Sequence, residues 1–92
     1  MTRVVVNRRA EADIAHLIDW FAERSPPAAH NAVERIFGSI RGLAEFPESG
    51  PRVSRNIREL VVRFGRDGYV VRYRVDGDQV LVTRVFHGRQ KR

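Results

Sequence analysis

The last third of the chain constrains the fold most, because it holds three runs of β-forming residues in close succession. The runs cover residues 59–64, 69–75 and 80–87, and each contains Val together with at least one Arg. Turn-forming pairs separate them, at Asp67-Gly68 and Asp76-Gly77. Because such short connections join antiparallel neighbours, we predict an antiparallel meander over residues 59–87.

Alternation in the middle run assigns its side chains to two faces. The face that we expect to be buried carries every second residue, namely Tyr69, Val71, Tyr73 and Val75. Arg72 and Arg74 alternate with these residues and therefore point to the other face. The pattern indicates a sheet with an apolar side and an arginine-bearing side.

Two helices are predicted upstream of the meander. Residues 9–24 carry one apolar stripe at helical spacing, formed by Ile14, Leu17, Ile18 and Phe21. Asn7 is suited to cap this helix, and Ser25 followed by Pro26 is suited to start a second helix over residues 26–45. Gly38 inside the second helix suggests a close contact with another element. Residues 52–57 are expected to form a basic loop.

These elements together predict an α+β fold of the order β-α-α-β-β-β. Two N-terminal helices would pack on a small, mostly antiparallel sheet, and a short strand at residues 4–6 would join the sheet edge. The chain of 92 residues fits a single domain over residues 1–92. It has no cysteine and no apolar run near the roughly 20 residues that span a bilayer, which favours a cytosolic protein without disulfides or thiolate metal sites.

Charge is distributed unevenly along the chain. Residues 1–50 hold six Arg and seven acidic residues, whereas residues 51–92 hold eleven basic and four acidic residues, for net charges of −1 and +7. The cluster that we single out consists of arginines on three adjacent predicted strands: Arg63, Arg72, Arg74 and Arg84. Such a cluster would bind a phosphodiester backbone or an acidic peptide. The alternative interpretation is a solvated face that keeps the sheet soluble.

A few other residues are candidates for chemistry or binding. His87 ends the last run among arginines, where a neutral imidazole could act as a general base, although the sequence slightly favours a structural role at the strand end. Trp20 lies off the helical stripe and could contact a partner or wrap round to the core edge. We interpret His16 and His30 as surface or helix-packing residues, and Asp13 and Asp19 as ordinary helix-surface charges. No cofactor or metal motif is present.

The chain resembles toxins of the RelE/ParE superfamily from bacterial type II toxin–antitoxin systems. The resemblance extends over most of the length and rests on the order and spacing of several short segments. They are Ala10-Glu11-Ala12-Asp13-Ile14, the pattern Ile36, Ile40, Leu43 and Phe46-Pro47, then Pro47-Glu48-Ser49-Gly50, Arg58-Glu59-Leu60-Val61, Tyr69-Val70-Val71-Arg72-Tyr73-Arg74-Val75, and Val82-Thr83-Arg84-Val85-Phe86-His87-Gly88-Arg89. The family fold implied is two helices on a small antiparallel sheet.

The resemblance implies a cognate antitoxin and leaves two activities open. ParE-like members poison DNA gyrase, whereas RelE-like members cut mRNA on the ribosome with Arg, Lys and a proton-transferring side chain. This chain has one lysine, Lys91, and no tyrosine after Tyr73, and its closing segment is more similar to ParE-like chains. Gyrase poisoning is therefore the leading hypothesis.

Two alternatives stand beside it: a ribosome-dependent endoribonuclease with His87 as acid/base, and a non-toxic binding module. The residues expected to bind the target or a phosphate are Arg63, Arg72, Arg74, Arg84, His87 and Arg89. Trp20 is the candidate for partner binding. We expect the antitoxin to cover part of the helix grooves and the cationic sheet.

Overall fold

The computed structural model describes residues 2–63 and 68–88, which form two helices packed on a five-stranded sheet. The elements are β1 (Arg3–Val6), α1 (Arg8–Arg24), α2 (Pro26–Gly42), β2 (Arg52–Ser54), β3 (Ile57–Val62), β4 (Tyr69–Asp76) and β5 (Gln79–His87). The sheet order is β1-β5-β4-β3-β2, with β1 parallel to β5 and the other neighbours antiparallel. The predicted fold class is confirmed, including the position of the first strand at a sheet edge.

One strand was not expected from the sequence. The prediction that residues 52–57 form a loop is wrong, because Arg52–Ser54 pairs with the start of β3. All three residues of β2 are exposed, so the strand has no apolar alternation that could have revealed it. The predicted strand at residues 59–64 begins earlier, at Ile57, and its last residue lies outside the described residues.

The helix boundaries follow from local capping. The Asn7 side chain accepts a hydrogen bond from the Ala10 amide at 2.9 Å, which caps α1 as predicted. Ser25 serves both helices: its amide donates to the Phe21 carbonyl at 2.8 Å, and its hydroxyl accepts from the Ala28 amide at 3.4 Å. The helix α2 ends at Gly42, three residues earlier than predicted.

In the part of the chain that the structure describes, the close contact predicted at Gly38 is absent. The heavy atom nearest to a Cβ built there would be Nη2 of Arg41, at 3.8 Å, on the same helix. This glycine therefore has room for a side chain. Within residues 2–63 and 68–88, no helix is long and apolar enough to cross a membrane.

The core lies between the helices and one face of the sheet. Its largest fully buried side chains include Tyr69, Val71 and Tyr73 of β4, as the alternation predicted, together with Ile36 and Leu43. The Tyr73 hydroxyl accepts a hydrogen bond from the Gly50 amide at 2.8 Å, which fixes the segment between α2 and β2 against the core.

Tyr69 buries its hydroxyl in this core. Desolvation by burial raises the pKa of Tyr69 to about 12, against smaller lowering effects of the Ser39 hydroxyl and the Arg35 charge. The Ser39 hydroxyl donates instead to the Ile36 carbonyl at 2.8 Å. Among the described residues, no group makes a hydrogen bond of good geometry to the Tyr69 hydroxyl.

A bulge in β5 reverses the alternation of its side chains. Arg72 is paired with Arg84, but the next residue, Tyr73, is paired with Val82, so Thr83 has no direct partner on β4. Because directly paired residues of antiparallel strands share a face, Val82 and His87 lie on the helix side. Arg84 and Phe86 lie on the opposite side, which we call the open face. The bulge explains why this run alternates less cleanly than β4.

Candidate functional site

Arg72 on the open face is neutralised by a carboxylate on the neighbouring strand. Its Nε and Nη2 donate to Oε2 of Glu59 at 2.9 Å and 2.7 Å, and the two residues are directly paired between β3 and β4. Glu59 is only 7% exposed. A buried carboxylate needs such a partner, so this ion pair explains why a glutamate is tolerated inside the sheet.

Arg84 is neutralised by a carboxylate of α1. Its Nε and Nη2 donate to the two carboxylate oxygens of Asp13 at 2.8 Å and 3.3 Å, and the Val85 amide donates to the same side chain at 2.9 Å. The side chains of Asp13 and Arg84 are 12% and 27% exposed. The hydrogen bond with Asp13 raises the pKa of Arg84, an effect that partial burial opposes.

The interpretation of Asp13 as an ordinary helix-surface charge is therefore wrong. The strand β1 pairs with β5 only as far as Val82, so the following residues of β5 form a sheet edge. Asp13 satisfies the backbone of that edge at Val85 and also binds Arg84. Asp19, on the same helix, is exposed as expected.

The two neutralised arginines share an aromatic neighbour. The guanidinium carbon of Arg72 lies 4.9 Å from the ring centroid of Phe86, and that of Arg84 lies 4.7 Å from it. Phe86 is buried although it faces away from the helices. The two cations thus cover the ring through cation–π contacts while each is held by a carboxylate. We call Arg72, Phe86 and Arg84 the arginine–phenylalanine stack.

The remaining arginines of the predicted cluster have other contacts. Arg74 forms an exposed ion pair with Asp76, at 2.8 Å between Nε and Oδ2. Arg63 follows the end of β3 with an exposed side chain, and its carbonyl accepts a hydrogen bond from Arg35 at 3.1 Å. Arg89 lies outside the described residues. Three of the four clustered arginines are thus neutralised by carboxylates that are already in place.

His87 and Trp20 lie together on the helix side. Their ring centroids are 4.9 Å apart, and Trp20 also makes an edge-to-face contact with Phe21 at 5.0 Å. The guanidinium carbon of Arg24 lies 3.6 Å from the Trp20 centroid. A pocket of about 230 Å³ between α1 and β5 is lined by Asp13, His16, Leu17, Trp20, Val85 and His87. Trp20 is half-buried and packs against the core, while His16 is exposed at the pocket and His30 is exposed elsewhere.

Comparison with known proteins identifies the family. The family model described as the ParE toxin of the type II toxin–antitoxin system parDE matches residues 4–92. The chain belongs to the ParE toxin family. This ParE-family toxin is 39% identical to Toxin RelE3 of Caulobacter vibrioides over 92 residues, which is 100% of both chains. It is also 39% identical to Toxin RelE1 of the same organism, over 97% of this chain and 96% of the relative.

A solved structure has the same fold. The chain described as part of the chromosomal ParDE system from P. aeruginosa superposes with a TM-score of 0.78 and 23% identity, covering 95% of this toxin and 96% of that chain. Membership of the family makes this protein a toxin of a type II toxin–antitoxin module, a class defined by a cognate antitoxin.

Sequence reasoning did not find the two carboxylates that organise the open face. Glu59 is separated from Arg72 by 13 residues and Asp13 from Arg84 by 71, so neither pair shows a local spacing signal. Alternation in β3 could have placed Glu59 opposite Arg72 once the register was known. No group of three metal-ligating side chains converges within residues 2–63 and 68–88.

Proposed function

We propose that this toxin arrests growth by binding and poisoning DNA gyrase, and that its cognate antitoxin neutralises it. The family match over residues 4–92 and the ParE-like closing segment support gyrase as the target. We choose gyrase binding over RNA cleavage because Arg72 and Arg84 are both held in ion pairs.

A ribonuclease of this size would need cations beside a proton-transferring group. Stabilising a developing phosphorane charge requires donors aimed at the reacting phosphate. Arg72 and Arg84 instead point their guanidinium groups at Glu59 and Asp13. His87 lies on the helix side, whereas the two arginines lie on the open face. A phosphate on the open face would have to compete with a carboxylate for each arginine.

Gyrase supercoiling by purified components tests the proposal. The assay scores relaxed and cleaved plasmid, with toxin alone and with toxin preincubated with its antitoxin. We expect cleaved DNA to accumulate with toxin alone and to disappear when antitoxin is present. Growth arrest in cells without any effect on the gyrase reaction contradicts the proposal.

Ribosome-dependent mRNA cleavage is the second candidate, favoured by the names of the relatives. Three relatives at 37–39% identity are named RelE toxins. In that case His87 is the candidate acid/base, and His87→Gln would abolish cleavage on programmed ribosomes. His16→Gln is the matched control, because His16 lines the same pocket. If gyrase is the target, the wild type, His87→Gln and His16→Gln should all leave mRNA intact. Cleavage by the wild type, whether or not His16→Gln also cleaves, would refute gyrase as the target.

A further inference from the structure

The β2–β3 hairpin concentrates positive charge that is not neutralised. Arg52 and Arg55 lie at the free edge of the sheet and at the hairpin turn, and both are exposed. Arg58 on β3 is paired with Arg52. Among the described residues none of these three arginines forms an ion pair, in contrast to Arg72 and Arg84.

A concave surface collects these charges. A pocket of about 180 Å³ is lined by Glu48, Arg52, Arg55, Asn56, Arg58 and Val75, which we call the arginine pocket. Its charged lining residues are three arginines and one glutamate, a formal net charge of +2. Arg58 is held in place because its Nη1 donates to the carbonyls of Glu48 and Gly50, at 3.3 Å and 2.8 Å. The pocket therefore has one pre-oriented cation and two exposed ones.

A second depression adjoins the arginine pocket. It is about 440 Å³ in volume and is lined by Ser54, Arg55, Asn56, Ile57, Arg74 and Asp76. Arg55 and Asn56 line both depressions, so the hairpin turn is a basic ridge between two hollows. A linear polyanion could place one charged group in each hollow and pass over the ridge.

We infer that the β2–β3 hairpin binds the phosphodiester backbone of a nucleic acid, with the arginine pocket holding one phosphate. Guanidinium groups match phosphate oxygens in bidentate geometry, and an amide such as that of Asn56 adds a neutral donor. Among the described residues, Val75 is the one apolar residue lining the arginine pocket, whereas the core of a protein–protein interface is rich in apolar and aromatic groups. Phosphate therefore fits this surface better than an acidic peptide does.

Binding of a labelled 20-base-pair duplex, followed by fluorescence anisotropy from low to moderate salt, tests the site. The test variant is Arg52→Ala with Arg55→Ala. Arg58 is left intact because it donates hydrogen bonds to the backbone at Glu48 and Gly50. The matched control is Arg8→Ala with Arg9→Ala, which removes the same charge from exposed positions at the start of α1, next to the opposite sheet edge. The assay contains no gyrase, so its result is independent of the proposed target.

We expect log K to fall linearly with log salt for the wild type, because phosphate binding releases counterions. Each neutralised phosphate contributes a slope of about −0.9. Arg52 lines the arginine pocket and Arg55 also lines the second depression, so the test variant removes contacts to one phosphate in each hollow. It should therefore lose about 1.8 units of slope, and the control should keep nearly all of it. Melting by circular dichroism checks folding, and the single variant Arg55→Gln replaces the double variant if the latter unfolds. In that case the slope should fall by about 0.9.

Three outcomes overturn the inference. The first is an equal loss of salt slope in the test and control variants, which means that net charge alone drives binding. The second is displacement of the duplex by poly-glutamate at matched charge concentration, which identifies the surface as a site for acidic protein segments. The third is binding of inorganic phosphate to the hairpin together with an unchanged salt slope of DNA binding in the test variant. This result would indicate a site for small anions.

Discussion

Replacement of Asp13 by Asn is the sharpest test of how the sheet edge is held. The carboxylate accepts two hydrogen bonds from Arg84 and one from the Val85 amide, all from groups far away in sequence. An amide has nearly the same shape, and an oxygen at the Oδ2 position can still accept from the Val85 amide and from Nε of Arg84. The NH₂ group that replaces Oδ1 cannot accept from Nη2 of Arg84, however, and the negative charge that holds the guanidinium is lost.

The expected cost is about 2 kcal/mol of unfolding free energy. Hydrogen bonds to charged groups contribute roughly 1.5–3 kcal/mol, and breaking a fully buried pair costs about 3–5 kcal/mol. Arg84 is 27% exposed and can recover part of its hydration, which places Asp13→Asn toward the lower end. A small domain has only about 5–15 kcal/mol of stability, and its Tm falls by about 4–8 °C per kcal/mol, so we expect a drop of about 8–16 °C.

Urea and thermal unfolding of Asp13→Asn measure this effect. Asp19→Asn is the matched control, since it makes the same charge change at an exposed site of the same helix. In a double-mutant cycle with Arg84→Gln, the Asp13 substitution should cost much less than it does alone. A difference of less than about 0.5 kcal/mol between Asp13→Asn and Asp19→Asn would refute the proposed role of Asp13, because surface substitutions fall within that range.

Three further results are expected. Tyr69 keeps its proton in the native state to a pKa of about 12, while the unfolded chain loses it near 10. Stability should therefore be full below pH 10 and fall by roughly 2–3 kcal/mol as pH rises through 12. This loss should be missing in Tyr69→Phe when both proteins are titrated by urea unfolding. Gly50→Ala places a Cβ 2.9 Å from the Tyr73 hydroxyl and should cost about 1–3 kcal/mol in the same assay, whereas Gly42→Ala meets no atom within 4 Å and should be tolerated. Antitoxin at 100 times its Kd should add about 2.7 kcal/mol, and an unchanged Tm on adding antitoxin would contradict binding to the native state.

The sequence was sufficient for the elements whose signals are local. The apolar stripe of α1, the start of α2 at Ser25 and Pro26, and the alternation of Tyr69, Val71 and Tyr73 each depend on residues within a turn or two of one another. Those predictions were confirmed because local periodicity and final burial agree. The strand β2 was missed because a three-residue exposed edge strand carries no such periodicity.

The open face could not be predicted for a different reason. The arginines were identified, but whether they stay available as cations depends on which carboxylates lie beside them. Asp13 can reach Arg84 and the Val85 amide because β1 ends at Val6, so that β5 is paired with β1 only as far as Val82. The bulge at Thr83 then decides which face Arg84 and Phe86 occupy. Both conditions arise from the register of strands that are far apart in the chain.

The parallel pairing of β1 with β5 also has a consequence for synthesis. Arg3 is paired with Gln79, so the first strand is made 76 residues before the strand with which it pairs. At roughly 5–20 residues per second, β1 waits about 4–15 s for that partner. The helices can form in the interval, but the sheet can close only after β5 has been made. The nascent toxin is thus incomplete for most of its own translation, which gives an antitoxin that is already present time to meet the chain as it folds.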